Sequence, residues 1–522
     1  MTRLPLHPFL FALYPVAAML AFNAADVRLG EGVRSLLLAL ILAGALFLTA
    51  RLVVGESRRA AMATTLALLL IFSYGHVYRW MGGLGPLGEA LARHRYLVPA
   101  WAALMAGGTW LILRVGIDRS AWTQALNVAA LALLILPAAQ IAAAEQEHRS
   151  ALAAGERDST AECELSPPAG EMPPDIYYII LDGYARQDVL ESRFGFDNGP
   201  FLDELKRRGF YVAEWSQSNY FTTQLSLASS LSYEYLDLNQ RQELARTASR
   251  EQISTMRIHG KVRRSLECLG YTIVAFDSSS PSSTWRDADL FLSPERHGDQ
   301  ILVLAGMNAF EAMLFDSTAG LILSDASIAI PGALRPDTDL PMREHRERVR
   351  FAFETLGEGV PELASPKFVF AHIIAPHTPY AFGPNGENVD PGGTYTLQSE
   401  EGSADSAGYL SNLAYVNAAA LRAIDGILAG SSRPPVIILQ SDHGAKGAAD
   451  VRLANLSAFY FPGGEPGELY PTITPVNVFR IVFNRYLGGR YERLPDVSYF
   501  SEEGSYSDLV IVPNPHAAEA VP

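Results

Sequence analysis

Lysine is missing from the first 150 residues, and acidic side chains are scarce there: 12 arginines stand against 7 carboxylates, a net charge of +5. The whole chain has 522 residues and a net charge of -15, so the rest carries -20. That acidic remainder lacks the basic surface on which nucleic-acid binding depends, and no nucleic acid is expected as a partner. Cysteine is almost absent, with Cys163 and Cys268 alone. Two thiols cannot staple a disulfide scaffold; one bridge and two buried thiols are equal alternatives. There is no internal repeat and no low-complexity tract, which leaves ordinary folded domains. Charged residues make up 19% against 49% hydrophobic ones, and the mean hydropathy of +0.10 is high for a fully soluble chain.

The apolar excess sits at the N-terminus. Five stretches, 6–23, 35–54, 60–78, 96–113 and 121–144, approach the roughly 20 residues that cross a bilayer as a helix. The first is too long and too weakly flanked for a cleaved signal peptide. Arg51 lies within the second and must snorkel from its end. Arg51, Arg58 and Arg59 cluster between spans two and three, and Arg114 and Arg119 between four and five. The positive-inside rule puts those loops in the cytoplasm, although Arg79, Arg93 and Arg95 on the other side weaken the bias. An inside N-terminus then places the long C-terminal portion outside. The domain reading is 1–145 transmembrane, 146–174 a Pro-bearing linker, 175–515 a globular domain and 516–522 a tail.

The globular part alternates apolar strands with helical stretches, which implies an α/β fold with a largely parallel sheet. Expected strands are 176–181, 210–212, 271–276, 368–374, 436–439 and 458–461; expected helices are 200–208, 223–236, 409–428 and 477–487. Its centre is 436–444. An apolar β-branched run, as in a strand covered on both faces, ends in Ser441-Asp442-His443-Gly444. Sites in such sheets lie at the carboxyl ends of strands, and oxygen plus nitrogen ligands suit zinc or manganese. The first strand repeats the logic, ending in Asp182-Gly183; a turn role for Asp182 is the plainer alternative. A helix expected to start at Thr222 or Thr223 puts a hydroxyl at the positive end of a dipole. Metal-bound, such a hydroxyl can ionise and attack phosphorus; its plain role is an N-cap. In the Pro376-His377-Thr378-Pro379 loop His377 is placed to bind a phosphoryl oxygen, protonate a leaving group or bind a metal. His372, inside its strand, reads as a core histidine.

Asp182, Thr223-x-x-Ser226-Leu227, His377-x-Pro379-Tyr380 and Ser441-Asp442-His443-Gly444, in that order, resemble the alkaline phosphatase superfamily on its sulfatase-like branch. The layout is similar to lipoteichoic acid synthases and phosphoethanolamine transferases, and the resemblance covers nearly the whole chain. It implies five membrane helices followed by an α/β sandwich domain with a largely parallel central sheet. It also implies one divalent metal, zinc or manganese, held by Asp182, Thr223, Asp442 and His443, with Thr223 the nucleophile. His377 would act at the phosphoryl group, and Asn219, Arg186 and His372 are candidates for binding substrate. Two departures are visible. Phosphoethanolamine transferases usually carry Glu where this chain has Asp182, and no histidine follows His443 until His516. No Cys or Ser stands in the Cys/Ser-x-Pro-x-Arg setting of true sulfatases, so the fold and not sulfate chemistry is implied.

The expected reaction moves a phospho-headgroup from a membrane phospholipid donor to an envelope glycan or lipid acceptor, through a phospho-threonine. The expected place is a bacterial inner membrane with the catalytic domain on the periplasmic side. Simple hydrolysis of a phosphodiester and a catalytically silent protein of envelope assembly are the alternatives.

Overall fold

The computed structural model describes residues 4–24, 29–114, 118–158, 165–167, 172–236, 253, 256–278, 280, 283–294, 309–324, 340–389, 406–463, 468–502 and 508–517. The chain divides into two compact units: 1–146 with 297–341 and 393–399, and 147–296 with 342–392 and 400–522.

The first unit is helical. Its helices are His7–Phe22, Leu29–Val54, Ser57–Gly82, the short Pro86–Leu91, His94–Arg114, and Arg119–Asp158 as far as Gln146. Four contain windows long and apolar enough to cross a membrane; His7–Phe22 is apolar too but has 16 residues. Leu37, Ile41, Leu52, Trp110, Leu111, Ile135 and Leu136 are exposed, which in water would be unfavourable and in lipid is not. Ala12, Val16, Leu20, Ala39, Ala43 and Leu68 form the inner seam; small side chains there let helices approach closely. Two contacts pair polar groups inside the bundle: the His7 amide donates to Asn127 Oδ1 at 2.7 Å, and His7 Nδ1 lies 2.7 Å from Thr65 Oγ1. The helix Ala309–Ser317 belongs to this unit although it falls inside 175–515; it seats Phe310 and Met313 in the seam and pairs Glu311 with Arg34.

The second unit is an α/β domain on a seven-stranded sheet. The strands are β1 (Ile176–Leu181), β2 (Tyr211–Val212), β3 (Thr272–Phe276), β4 (Leu290–Leu292), β5 (Lys367–Ile373), β6 (Val436–Gln440) and β7 (Ser457–Tyr460). Their order is β2-β7-β6-β1-β5-β3-β4, and β7 alone runs antiparallel to its neighbours. The separate β8 (Ser498–Phe500) and β9 (Val510–Val512) form a two-stranded antiparallel sheet. The central strands β1, β5 and β6 are buried along their whole length, the reason they read as unbroken apolar runs. The helix Ser406–Gly430 also satisfies length and composition for a span. It is no span here: Leu413, Val416, Ala420, Ile424 and Ile427 are buried in this domain.

Helix Thr223–Ser232 lies over one face of β1. Leu227 and Leu231 share the core with Ile176, Tyr178 and Ile180, and Tyr178 Oη lies 2.8 Å from Ser230 Oγ. This packing brings the start of the helix to the carboxyl ends of the strands. Cys268 is disulfide-bonded; Cys163 lies outside the described residues.

Candidate active site

The parallel register builds the site. Ile180 of β1 pairs with His372 of β5 on one side and Gln440 of β6 on the other, so the three strands end side by side. Asp182 follows β1, and Asp442 and His443 follow β6 by two and three residues. All are buried.

The Asp442-His443-Gly444 turn is clamped through its backbone. Ser226 Oγ donates to Asp442 O at 2.6 Å, Ser441 Oγ to His443 O at 2.6 Å, and Asn455 Nδ2 to Ser441 O at 2.7 Å. Gly444 has no alternative: a Cβ there would stand 2.2 Å from Val451 O and 2.4 Å from Ala454 O. Gly183 takes φ +71°, the left-handed region open to glycine, and its amide donates to Asp442 Oδ1 at 3.2 Å. Asp182 is fixed by its own backbone. Its amide donates to Ile373 O, and its carbonyl accepts from the His377 amide, both at 3.0 Å.

Five side chains converge. His443 Nε2 lies 3.2 Å from Asp442 Oδ2, 3.9 Å from Asp182 Oδ1 and 3.2 Å from Thr223 Oγ1. His443 Nδ1 donates to Gly444 O at 2.9 Å. A carbonyl only accepts, so Nδ1 carries the proton and Nε2 presents a lone pair to the carboxylates. His372 Nε2 lies 3.2 Å from Asp182 Oδ2. Asp182 Oδ1, Asp442 Oδ2 and His372 Nε2 are buried with no hydrogen-bond partner. Ligand atoms of Asp182, His372 and Asp442 lie within 4.8 Å of one another. Two carboxylates and ring nitrogens with their lone pairs turned together repel unless a cation lies among them. The donor set, carboxylate oxygens with imidazole nitrogen, fits a divalent metal. Burial pushes the Asp182 carboxyl up, but His377, His372 and His443 outweigh it and hold the group well below the usual carboxylate range. His443 is pulled below the ordinary histidine value by burial and by Arg452, with Asp442 and Asp182 opposing.

Thr222 and Thr223 separate cleanly. Thr222 is the N-cap, its Oγ1 accepting from the Leu225 amide at 3.4 Å, while Thr223 turns its hydroxyl to His443. His377 sits at the rim, partly buried, with Cδ2 3.6 Å from where a Cβ on Gly183 would be. Its Nδ1 donates to Thr378 O at 2.8 Å.

Two sequence candidates are engaged elsewhere. Arg186 donates through Nη1 to Ser216 O at 2.7 Å and through Nε to Asp188 at 2.7 Å, and it lies over the Trp215 ring. Asn219 is fully buried; it accepts from the Val476 amide and donates to Val497 O and Tyr235 Oη. Both hold loops together, and both N–H groups of the Asn219 amide are engaged in doing so. His372 differs in the other direction: it is a buried strand residue, yet one ring nitrogen faces the acidic cluster. Its sequence signal was weak because only the register with β1 reveals it. His516, at the start of the tail, stacks on Trp215 at 3.6 Å.

No protein-family model and no curated protein matches the chain. Among solved structures it is similar to the C-terminal periplasmic domain of EcEptC from Escherichia coli in complex with Zn, at 11% identity over 67% of this chain and 95% of that one, TM-score 0.35. A protein of the alkaline phosphatase superfamily from Vibrio parahaemolyticus matches at 12% identity over 69% and 82%, TM-score 0.36. The integral membrane lipooligosaccharide phosphoethanolamine transferase A (EptA) from Neisseria meningitidis is similar across both units, at 12% identity over 88% of this chain and 87% of that one, TM-score 0.32.

Proposed function

We infer that this chain is a membrane-anchored, metal-dependent phosphotransferase whose sulfatase-like catalytic domain is the second unit, 147–296 with 342–392 and 400–522. The observation that carries this is the buried cluster of partnerless Asp182, Asp442 and His372 atoms with the Thr223 hydroxyl 3.2 Å from His443 at a helix N-terminus. Asp182, Thr223, Asp442 and His443 would hold one zinc or manganese ion, with His372 beside them. The ion would neutralise charge on the phosphoryl oxygens and favour the ionised Thr223 hydroxyl.

The chain's own groups supply the rest. Thr223 Oγ forms a bond to phosphorus as the bond from phosphorus to the diacylglycerol oxygen breaks. That oxygen takes a proton, which His377 at the rim is placed to give from Nε2, its Nδ1 being held by Thr378. The positive end of helix Thr223–Ser232 favours the anionic phosphoryl group. In the second half an acceptor hydroxyl attacks phosphorus, its proton passing to His377, and Thr223 leaves. A phospholipid such as phosphatidylethanolamine or phosphatidylglycerol is the donor, which accounts for the membrane helices; an envelope glycan or lipid is the acceptor. The bridge at Cys268 supports an oxidising, periplasmic location for this domain, with the helices in a bacterial inner membrane.

The test is turnover by the full-length protein in vesicles of either phospholipid with Zn²⁺ or Mn²⁺, scoring diacylglycerol release and the fate of the headgroup. Asp182→Asn and Thr223→Val lose at least about 10³-fold, the scale of losing a group essential to the transition state. Thr222→Ala keeps most activity. Headgroup released only to water, whatever acceptor is supplied, would make the protein a hydrolase, and full turnover by Thr223→Val would remove the threonine from the mechanism.

A further inference from the structure

We propose that Ser283, in the loop after β3, is a positioning residue that fixes the ring of His372 so that its Nε2 lone pair points into the cation site. The inference rests on the metal-dependent reading above and adds a residue outside the motifs that support it.

Ser283 is fully buried, and its Oγ lies 2.6 Å from His372 Nδ1. Behind it stands a short chain of hydroxyls. Ser283 Oγ is 3.0 Å from Ser278 Oγ; Ser278 Oγ donates to Ser280 O at 3.1 Å; Thr284 Oγ1 donates to the same carbonyl at 2.8 Å. The Ser280 amide donates to Ser278 Oγ at 3.2 Å.

Proton counting gives this chain a direction. A carbonyl accepts and never donates, and each hydroxyl has one proton to give. If His372 Nδ1–H donates to Ser283, Ser283 to Ser278, and Ser278 to the Ser280 carbonyl, every contact in the run holds a proton. In the opposite sense Ser283 gives its proton to Nδ1. Either the Ser283–Ser278 contact or the Ser278–Ser280 contact then holds none, and two buried lone pairs face each other. The outward sense therefore keeps one more hydrogen bond within this run, on the order of 1 kcal/mol for buried groups, and the opposite sense would put the ring proton on Nε2, which has no partner in hydrogen-bonding geometry. The outward sense leaves Nε2 without a proton, 3.2 Å from Asp182 Oδ2. A ring nitrogen with a lone pair beside a carboxylate is repelled by it and attracted by a cation that both can bind. Histidines that hold metals are commonly oriented in this way through their second nitrogen. His443 obeys the same logic through Gly444 O, so both rings address the site through Nε2.

The experiment measures divalent metal affinity of the purified full-length protein by competition with a chromophoric chelator, using Zn²⁺ alone and no substrate. Asp182→Asn abolishes tight binding and thereby checks the underlying reading. Ser283→Ala weakens binding about 10- to 100-fold, the usual effect of removing an outer partner of a ligand. The distinguishing step is a double-mutant cycle. In a His372→Gln background, Ser283→Ala has no further effect beyond about twofold, because the ring it orients is gone. Co²⁺ in place of Zn²⁺ adds a spectroscopic check: Ser283→Ala and His372→Gln alter the visible absorption bands in the same way. Wild-type affinity in Ser283→Ala, with Asp182→Asn still inactive in binding, would overturn the role of Ser283 and leave the phosphotransferase reading intact. An equal loss in the His372→Gln background would overturn it as well, showing a loop effect that does not pass through the ring. Absence of Zn²⁺ binding by the wild type would overturn both.

Discussion

Asp442→Asn should stabilise the metal-stripped protein while abolishing its stabilisation by metal. Ligand atoms of Asp182 and Asp442 lie within 4.8 Å of each other. Two unit charges at that distance repel by about 3 kcal/mol at an effective dielectric constant of about 20. An amide in place of the carboxylate removes one charge and keeps an oxygen for the Gly183 amide. At pH 8, where ordinary histidines are neutral and His443 is held lower still, little positive charge is left to compensate the wild-type pair. In excess chelator the variant should therefore melt higher. About 3 kcal/mol corresponds to roughly 6–12 °C for a domain of 150 to 250 residues, and less for a larger one. With metal at about 1,000 times its Kd the wild type gains about 4 kcal/mol, and the variant gains little. The order of melting temperatures thus reverses between chelator and metal. Thermal melts of the two full-length proteins in both conditions read this directly. A variant less stable by the same amount with and without metal would refute the reasoning, since Asp442 would then be an ordinary buried hydrogen-bonding residue.

Thr222→Ala should cost about 1 kcal/mol of stability through loss of the cap, with turnover largely kept; denaturant titration and activity together check it. Gly444→Ala should be destabilising by about 2–3 kcal/mol and should lose metal, because the new Cβ meets two backbone carbonyls that cannot move aside. His345 is buried and drawn down to about 3 by burial and by Arg348, His377 and Arg346. Its folded pKa lies below the unfolded value, so the unfolded chain binds a proton that the folded one refuses. Stability is full above pH 6.5 and falls as the pH drops from there towards 3, by a few kcal/mol. His345→Gln should flatten that acid limb in melts from pH 7 to 4.

The central sheet was legible because β1, β5 and β6 are buried on both faces and so are apolar without interruption. β4, β8 and β9 have three residues each, too few for a pattern to emerge. Helix Ala309–Ser317 was not visible as part of the membrane unit: its mixed sequence gives no span signal, and its place depends on Phe310, Met313 and the Glu311–Arg34 pair. The Asp-Gly and Asp-His-Gly turns announced themselves through carboxylates at strand ends. Arg186 and Asn219 were weaker candidates in one dimension, and in three dimensions both bind neighbouring loop backbone. His372 and Ser283 are the reverse case. Nothing local marks them, and only strand register and loop packing bring them to Asp182.

The measurement that bears most directly on the chemistry is peptide mass spectrometry of the full-length protein after incubation with phosphatidylethanolamine or phosphatidylglycerol and a divalent metal. A metal-dependent phospho-headgroup adduct on Thr223, absent from Thr223→Val and present in Thr222→Ala, is the expected result. Donor turnover with no adduct on Thr223 at any time, or an adduct on Thr222 instead, would contradict a mechanism through the Thr223 hydroxyl.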